Sequence, residues 1–95
     1  ILEARDNAMI NDLVADFSTR PIQQVEGSYP LVVANLFAEV LSMLAPDIIR
    51  LSNHRIALAG ILADRAHLVK DAFSSLKLIR EEKEGDWLHL WYEHP

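Results

Sequence analysis

The residue in this sequence best placed to do chemistry is Asn35, which directly follows the apolar run Leu31-Val32-Val33-Ala34. Four apolar residues between Pro30 and a polar amide predict a short strand buried on both faces, because a strand with one wet face would alternate. In open α/β sheets, ligands bind in the crevice outside the carboxyl ends of the strands. The sequence therefore places a hydrogen-bonding amide at the edge where such a sheet would bind its ligand.

Histidines and aromatic residues are the next candidates for chemistry. The four histidines lack the close spacing of a metal site, such as two histidines one helical turn apart, so we predict no metal ligands. They are His54, His67, His89 and His94. Trp87, Trp91 and Tyr92 lie near acidic residues, which favours packing in a hairpin over a base-stacking platform. The charged run Arg80-Glu81-Glu82-Lys83-Glu84 is typical of a solvated strand edge.

Composition limits the function classes. The chain has 95 residues, 51% of them apolar and 24% charged, which predicts one globular domain rather than a disordered segment. It has no cysteine, so disulfides and thiolate chemistry are excluded and a cytoplasmic protein is the simplest interpretation. No apolar run approaches the ~20 residues of a membrane span. The net charge of -5 argues against broad binding to a nucleic-acid backbone.

The amino-terminal region carries the weakest patterns. Apolar spacing predicts a helix over residues 1–10, with no capping residue ahead of it. The chain does not begin with methionine, so we interpret it as part of a longer protein. Asn11-Asp12 is expected to end the helix, residues 14–18 form a candidate short strand, and residues 20–28 contain the turn residues of a loop.

Helical and strand periods alternate after the buried strand. Apolar residues at helical spacing predict a helix over residues 37–51, in which Pro46 should cause a kink or a fresh start. Ser52-Asn53-His54 is predicted to be a turn, followed by a second short strand over residues 55–59. Gly60 comes next, where the lack of a side chain allows a ligand or a helix to approach closely.

A second helix and a hairpin complete the chain. Helical spacing over residues 62–73 predicts a helix that ends near Ser74-Ser75. Residues 76–82 and 87–93 are strand-like, and Glu84-Gly85-Asp86 predicts a short connection between them.

The order of these elements predicts the fold class. Strands that alternate with helices imply a parallel sheet with right-handed crossovers, to which the hairpin adds an antiparallel strand. We expect the strands at 31–34 and 56–59 to be parallel neighbours, with residues 87–93 antiparallel beside the second. The chain is thus predicted to be the carboxyl half of a doubly wound α/β fold.

Several segments resemble, in order and spacing, the class I S-adenosylmethionine-dependent methyltransferases of the PrmA type, which methylate a protein of the large ribosomal subunit. The most specific combination is Ala34-Asn35-Leu36 with Leu44-Ala45-Pro46 and Gly60-Ile61-Leu62. The resemblance covers roughly residues 7–92. The matching segments are Tyr29 to Leu36 with Ala38-Glu39, Leu44-Ala45-Pro46, Ala59-Gly60-Ile61-Leu62 and Glu84-Gly85-Asp86-Trp87.

The resemblance implies a Rossmann-like sheet of seven strands in the order 3-2-1-4-5-7-6, of which this chain holds the third to the seventh. Residues 1–95 would then be a partial catalytic domain that lacks the first two strands and the glycine-rich cofactor loop. Gly27, Gly60 and Gly85 lie far apart and form no such loop. Ser52-Asn53-His54 also replaces the Pro-Gly-Gly turn usual in the family.

The resemblance gives Asn35 a catalytic and cofactor-binding role, between the sulfonium of S-adenosylmethionine and the target amine, where its carbonyl oxygen orients the amine for attack. Leu36, Phe37 and Gly60 would lie near the substrate. Two structural alternatives stay open. Asn35 would serve equally well as the N-cap of the following helix, and Phe37 as that helix's first core contact.

Two functions of different class follow. The first is an enzyme, part of a methyltransferase that acts on lysine side chains or the amino terminus of a large-subunit ribosomal protein. The second is a non-catalytic remnant that serves as an interaction module by pairing its exposed central strand with another chain. The sequence does not fix the oligomeric state or the number of methyl groups transferred.

Overall fold

The computed structural model describes the backbone of residues 7–11 and all of residues 27–95. Five strands and two α-helices make up this part of the chain, and a single 3₁₀ turn, Ala63–Arg65, precedes the second helix. In chain order the elements are β1 (Asn7–Asn11), β2 (Tyr29–Asn35), α1 (Ala38–Leu51), β3 (Ser52–Leu62), α2 (Ala66–Ala72), β4 (Lys77–Glu84) and β5 (Trp87–Glu93).

The strands form one mixed sheet in the order β1-β2-β3-β5-β4. β1 and β2 are parallel, β2 and β3 are parallel, and β5 runs antiparallel to both β3 and β4. The predicted pairing of the 31–34 and 56–59 strands, and the antiparallel position of 87–93, are therefore confirmed. The order β2-β3-β5-β4 also agrees with the 4-5-7-6 half of the sheet that the family resemblance implied.

The helix predicted over residues 1–10 is wrong for its described part, because Asn7–Asn11 is a strand. β1 pairs in parallel with β2 from Asn7 opposite Leu31 to Asn11 opposite Asn35. Without β1, this edge of β2 would leave backbone N–H and C=O groups unpaired. Pairing with β1 satisfies these groups and so overrides a weak helical pattern. The candidate strand at 14–18 and most of the loop predicted over 20–28 lie outside the described residues.

β3 is longer than predicted at both ends. Ser52-Asn53-His54 is no turn, because α1 ends at Leu51 and the strand begins at once with Ser52. The Ser52 hydroxyl donates to the Ile49 carbonyl oxygen (3.1 Å) and so closes the helix end. Pairing on both sides, with β2 and β5, explains the length of the strand, since each neighbour supplies hydrogen-bond partners beyond the apolar run.

One apolar core lies between the sheet and the helices. Val32 and Ala34 of β2 are buried, whereas Leu31 and Val33 are only partly buried, so the strand predicted to be buried on both faces is fully buried on one face only. The buried residues of both helices belong to a single core with the inward residues of β2, β3 and β5. No helix among residues 27–95 is long and apolar enough to cross a membrane.

The hairpin prediction is confirmed, with two residues, Gly85 and Asp86, joining β4 to β5. Gly85 has φ +64°, as two-residue hairpin turns require at their first position. Every residue of β4 is exposed, as its charged run predicted. The buried Tyr92 of β5 stacks on Phe73, with ring centroids 5.5 Å apart.

α1 runs unbroken through Pro46, so the fresh helix start predicted there does not occur. Proline at an interior position lacks the N–H that would bond to the carbonyl of Ser42 four residues earlier. We predict that Pro46→Ala raises the free energy of unfolding by on the order of 1–3 kcal/mol in chemical denaturation. Met43→Ala, at an exposed site of the same helix, should change stability by less than about 0.5 kcal/mol. A loss of stability in Pro46→Ala would show that the helix depends on this proline.

Candidate functional site

Asn35 ends β2 and is exposed. Its side chain makes no hydrogen bond to the described residues. The N-cap residue of α1 is Phe37, which makes no side-chain capping bond, so the capping role considered for Asn35 is not observed. The Phe37 carbonyl instead accepts the first helical bonds, from Val40 (3.0 Å) and Leu41 (2.9 Å). The amide is therefore available for a ligand.

Gly60 leaves the space that the Asn35 amide occupies. A Cβ on Gly60 would lie 2.6 Å from Asn35 Oδ1 and 3.1 Å from the Leu36 carbonyl oxygen, so no side chain fits without movement. The backbone of Gly60 has φ +83°, which other residues rarely adopt. The close approach predicted at Gly60 does occur, and the approaching groups are a side chain and a backbone segment of this protein.

The register of three strands brings these residues together. Asn35 pairs with Ala59, and the Leu36 N–H donates to the Ala59 carbonyl (3.2 Å). The β3–β5 register shifts between Leu58 and Ile61, so Gly60 sits in an irregular stretch of the strand. Such irregularities often occur beside functional sites, because they redirect side chains.

An open groove of about 350 Å³ lies at this edge of the sheet. Three of the four predicted site residues, Asn35, Phe37 and Gly60, line it. Leu36 differs, because its side chain is buried in the core and only its backbone lies close to Gly60. The complete lining is Asn35, Phe37, Ala59, Gly60, Glu84, Trp87 and His89.

Sequence reasoning did not assign the hairpin residues to the site. Glu84 was attributed to a solvated edge, Trp87 to hairpin packing and His89 to no role, yet all three line the groove. Trp87 remains 42% exposed, unlike Tyr92, which packs in the core as predicted. Two sequence features could have placed them in the site. The two-residue turn fixes the β4–β5 register, and the expected pairing of β5 beside the second parallel strand brings the hairpin to the edge where Asn35 lies.

The groove carries one acidic and one basic side chain. His89 Nε2 lies 3.9 Å from Glu84 Oε1, and the Glu84 side chain is 87% exposed. The His89 ring stacks on the Trp91 ring, with centroids 6.2 Å apart. The Arg80 guanidinium lies over the same Trp91 ring, 5.2 Å from its centroid. These contacts place the imidazole beside Trp91 at the groove wall.

Metal chemistry and tyrosine chemistry find no support among the described residues. No group of three or more histidine or carboxylate side chains in this part of the chain could hold a metal ion. Burial, and to a lesser extent the charge of Glu81, raises the pKa of Tyr92, so its hydroxyl stays neutral at physiological pH.

A mixed sheet of this order, with an amide and a groove at the carboxyl ends of its central strands, defines the class I methyltransferase fold. A ribosomal protein L11 methylase from Lactobacillus delbrueckii subsp. bulgaricus superposes with TM-score 0.73 and 25% identity over 77% of this chain and 40% of that one. The fold is shared by magnesium protoporphyrin IX methyltransferase from Synechocystis, at TM-score 0.55 and 14% identity over 81% of this chain and 49% of that one.

Sequence relatives identify the family within this class. The family model described as ribosomal protein L11 methyltransferase (PrmA) matches residues 1–94. The L11 methyltransferase of Pelobacter propionicus is 37% identical over 94% of this chain, and that of Geobacter metallireducens is 34% identical over 95%. The chain belongs to the ribosomal protein L11 methyltransferase (PrmA) family, as its resemblance indicated. It spans 31% of the length of each of these two relatives.

The crowding around Gly60 predicts a stability difference between two glycine substitutions. Gly60→Ala and Gly85→Ala both place a side chain at positive φ, at a cost of about 1–2 kcal/mol. A Cβ on Gly85 would meet nothing within 4 Å, whereas one on Gly60 would lie 3.1 Å from the backbone carbonyl oxygen of Leu36, which cannot rotate away as the exposed Asn35 side chain can. We therefore expect Gly60→Ala to lose about 1 kcal/mol more in chemical denaturation. Equal losses would show that the backbone at Leu36 shifts to make room.

Proposed function

We propose that this chain forms the amine-positioning part of an S-adenosylmethionine-dependent methyltransferase that acts on amino groups of ribosomal protein L11. The observation that carries the proposal is the exposed Asn35 amide, without a hydrogen bond to the described residues, at the carboxyl end of β2. Family membership supports the same activity. Lysine side chains and the amino terminus are the target groups, and a cytoplasmic location is part of the proposal.

In the proposed reaction, Asn35 positions the target amine and does not act as an acid or a base. When bound, S-adenosylmethionine supplies a methyl group on a sulfonium, which is open to attack by an amine lone pair. The Asn35 carbonyl oxygen accepts a hydrogen bond from the target amine and turns that lone pair towards the methyl carbon. Gly60 contributes by leaving space for the amide, as its contact with Oδ1 indicates.

The groove residues fit the sulfonium end of the cofactor. A cation is accommodated by an amide oxygen, by a carboxylate and by the faces of aromatic rings, and the groove offers Asn35, Glu84 and the rings of Phe37 and Trp87. The family's glycine-rich loop and its ribose-binding acid have no counterpart in residues 1–95. We propose that this chain is one part of the catalytic domain and that the remaining contacts to the cofactor lie on another segment.

The alternative of a non-catalytic interaction module is less well supported. It required the central strand to expose an edge for another chain, but β1 pairs with β2 along that edge over five residues. The edge strands of the described sheet are therefore β1 and β4, and the charged side chains of β4 oppose strand addition there.

We predict that the isolated 95-residue chain does not bind S-adenosylmethionine measurably. A few contacts at the sulfonium end cannot offset the translational and rotational entropy that is lost on association. Isothermal titration calorimetry of the purified chain, with circular dichroism to confirm that it is folded, makes the test. Micromolar affinity would mean that the complete cofactor site lies within these residues.

In the longest native chain that contains these residues, Asn35→Ala should lower turnover on the order of 10²-fold or more, with little change in cofactor affinity. A hydrogen bond that orients the reacting amine acts mainly on the transition state, so its loss appears in kcat. Single-turnover methyl transfer and a melting curve on one preparation provide the measurement.

The matched control for this experiment is Asn53→Ala. Asn53 is exposed near the opposite end of the sheet, where its side chain bonds to the Ser28 hydroxyl (2.9 Å), so turnover should stay near normal. Near-normal turnover in Asn35→Ala would remove Asn35 from the reaction and contradict the proposal.

A further inference from the structure

We infer that His89 is a catalytic residue that accepts the proton of the target ammonium group. This inference rests on the proposed function. An amine attacks only through a free lone pair, yet a lysine amine with a pKa near ~10.4 is neutral in only about one molecule in 10³ at pH 7. Asn35 cannot take up the proton, because a carboxamide is not a base. A second group in the groove that accepts the proton would let the protein use the abundant ammonium form.

His89 lies in the same row across the sheet as Asn35. Asn35 pairs with Ala59 of β3, and His89 of β5 falls opposite the irregular stretch between Leu58 and Ile61, which contains Ala59 and Gly60. Neighbouring strands are about 4.8 Å apart, so the backbones of Asn35 and His89 are separated by roughly 10 Å across β3. Both side chains line one groove. An amine bound in this groove can therefore lie within reach of both side chains.

The surroundings of His89 suit a proton acceptor. Glu84 Oε1 lies 3.9 Å from Nε2 of the ring. The other charged groups near the ring are Glu82, which is already paired with Arg80, and Lys83. On the opposite side, Asn35, Ala59 and Gly60 carry no charge. No lysine or arginine side chain lines the groove, so a ring nitrogen of His89 can take up a proton there.

The step balances without a further reactant. One N–H bond of the bound ammonium breaks and its proton passes to a ring nitrogen of His89, which becomes an imidazolium. The freed lone pair forms the N–CH₃ bond as the S–CH₃ bond breaks, and the electron pair of that bond stays on sulfur. The imidazolium then loses its proton to water through the open groove, which resets the residue for another turnover.

The test uses two short peptides and the longest native chain that contains residues 1–95. One peptide has a blocked amino terminus and a single lysine, and the other has a free amino terminus and no lysine. An α-amine has a pKa near ~7.8 and is partly neutral at pH 7, so it needs a base far less than lysine does. We expect His89→Gln to lower lysine methylation on the order of 10²-fold and α-amine methylation by less than about 3-fold.

The pH profile gives a readout that a structural role would not change. A lysine amine that must first lose its proton to bulk water becomes about tenfold more abundant with each pH unit below its pKa of ~10.4, so its rate should rise about tenfold per unit from pH 7 to 9. A proton acceptor in the groove lets the protein use the abundant ammonium form, so the unsubstituted protein should show a shallower rise over that range. His89→Gln should restore the tenfold rise per unit.

His67→Gln is the matched control, since His67 is exposed on α2 and does not line the groove. It should leave both rates and the pH profile unchanged. Equal losses on the two peptides, or a lysine rate that rises equally steeply with pH before and after His89→Gln, would overturn the inference while leaving the proposed function intact. If the unsubstituted protein methylates neither peptide nor ribosomal protein L11, the proposed function fails and the inference fails with it.

Discussion

The parallel pairing of β2 with β3 is the constraint on which the rest of the structure depends. It sets Asn35 opposite Ala59 and therefore beside Gly60, whose missing side chain leaves space for the amide. The apolar core stabilises this pairing, because Val32 of β2 and Ile56 of β3 are fully buried in it together with one face of α1. A slip of one residue would turn these apolar side chains outward, so the register that builds the site is also the one that buries the core.

The hairpin supplies the second half of the site. Its outer strand is exposed throughout, and its inner strand is anchored by Leu88, Leu90 and Tyr92. The turn is fixed to the end of β3, where the Ala63 N–H donates to the Asp86 carbonyl (2.8 Å). The groove side chains of the hairpin thus project from paired strands, which hold groups more accurately than loops do.

The sequence predicted those features that depend on local patterns. The burial of Val32 and Ala34, the helix after Phe37 and the hairpin around Gly85 all follow from apolar spacing and turn chemistry. Asn35 could be placed at the sheet edge for the same reason, because an amide ends an apolar run.

The errors arose where pairing between distant segments overrides local preference. β1 forms because it pairs with the backbone groups at one edge of β2. β3 extends to Ser52 because it has a neighbouring strand on each side. His89 and Glu84 escaped notice for the same reason. They lie 54 and 49 positions after Asn35 in the chain, and the β3–β5 pairing brings them to the same groove. Their proximity to Asn35 follows from this strand pairing and not from the residues around Asn35 itself.

The central claim is that the Asn35 amide oxygen receives the target amine. It is tested most directly by a crystal structure of the longest native chain containing these residues, with S-adenosylhomocysteine and a lysine peptide bound. We predict that the lysine nitrogen lies within about 3.2 Å of Asn35 Oδ1, at hydrogen-bonding distance. An amine bound elsewhere, or an Asn35 side chain turned onto the first N–H groups of α1, would contradict the account.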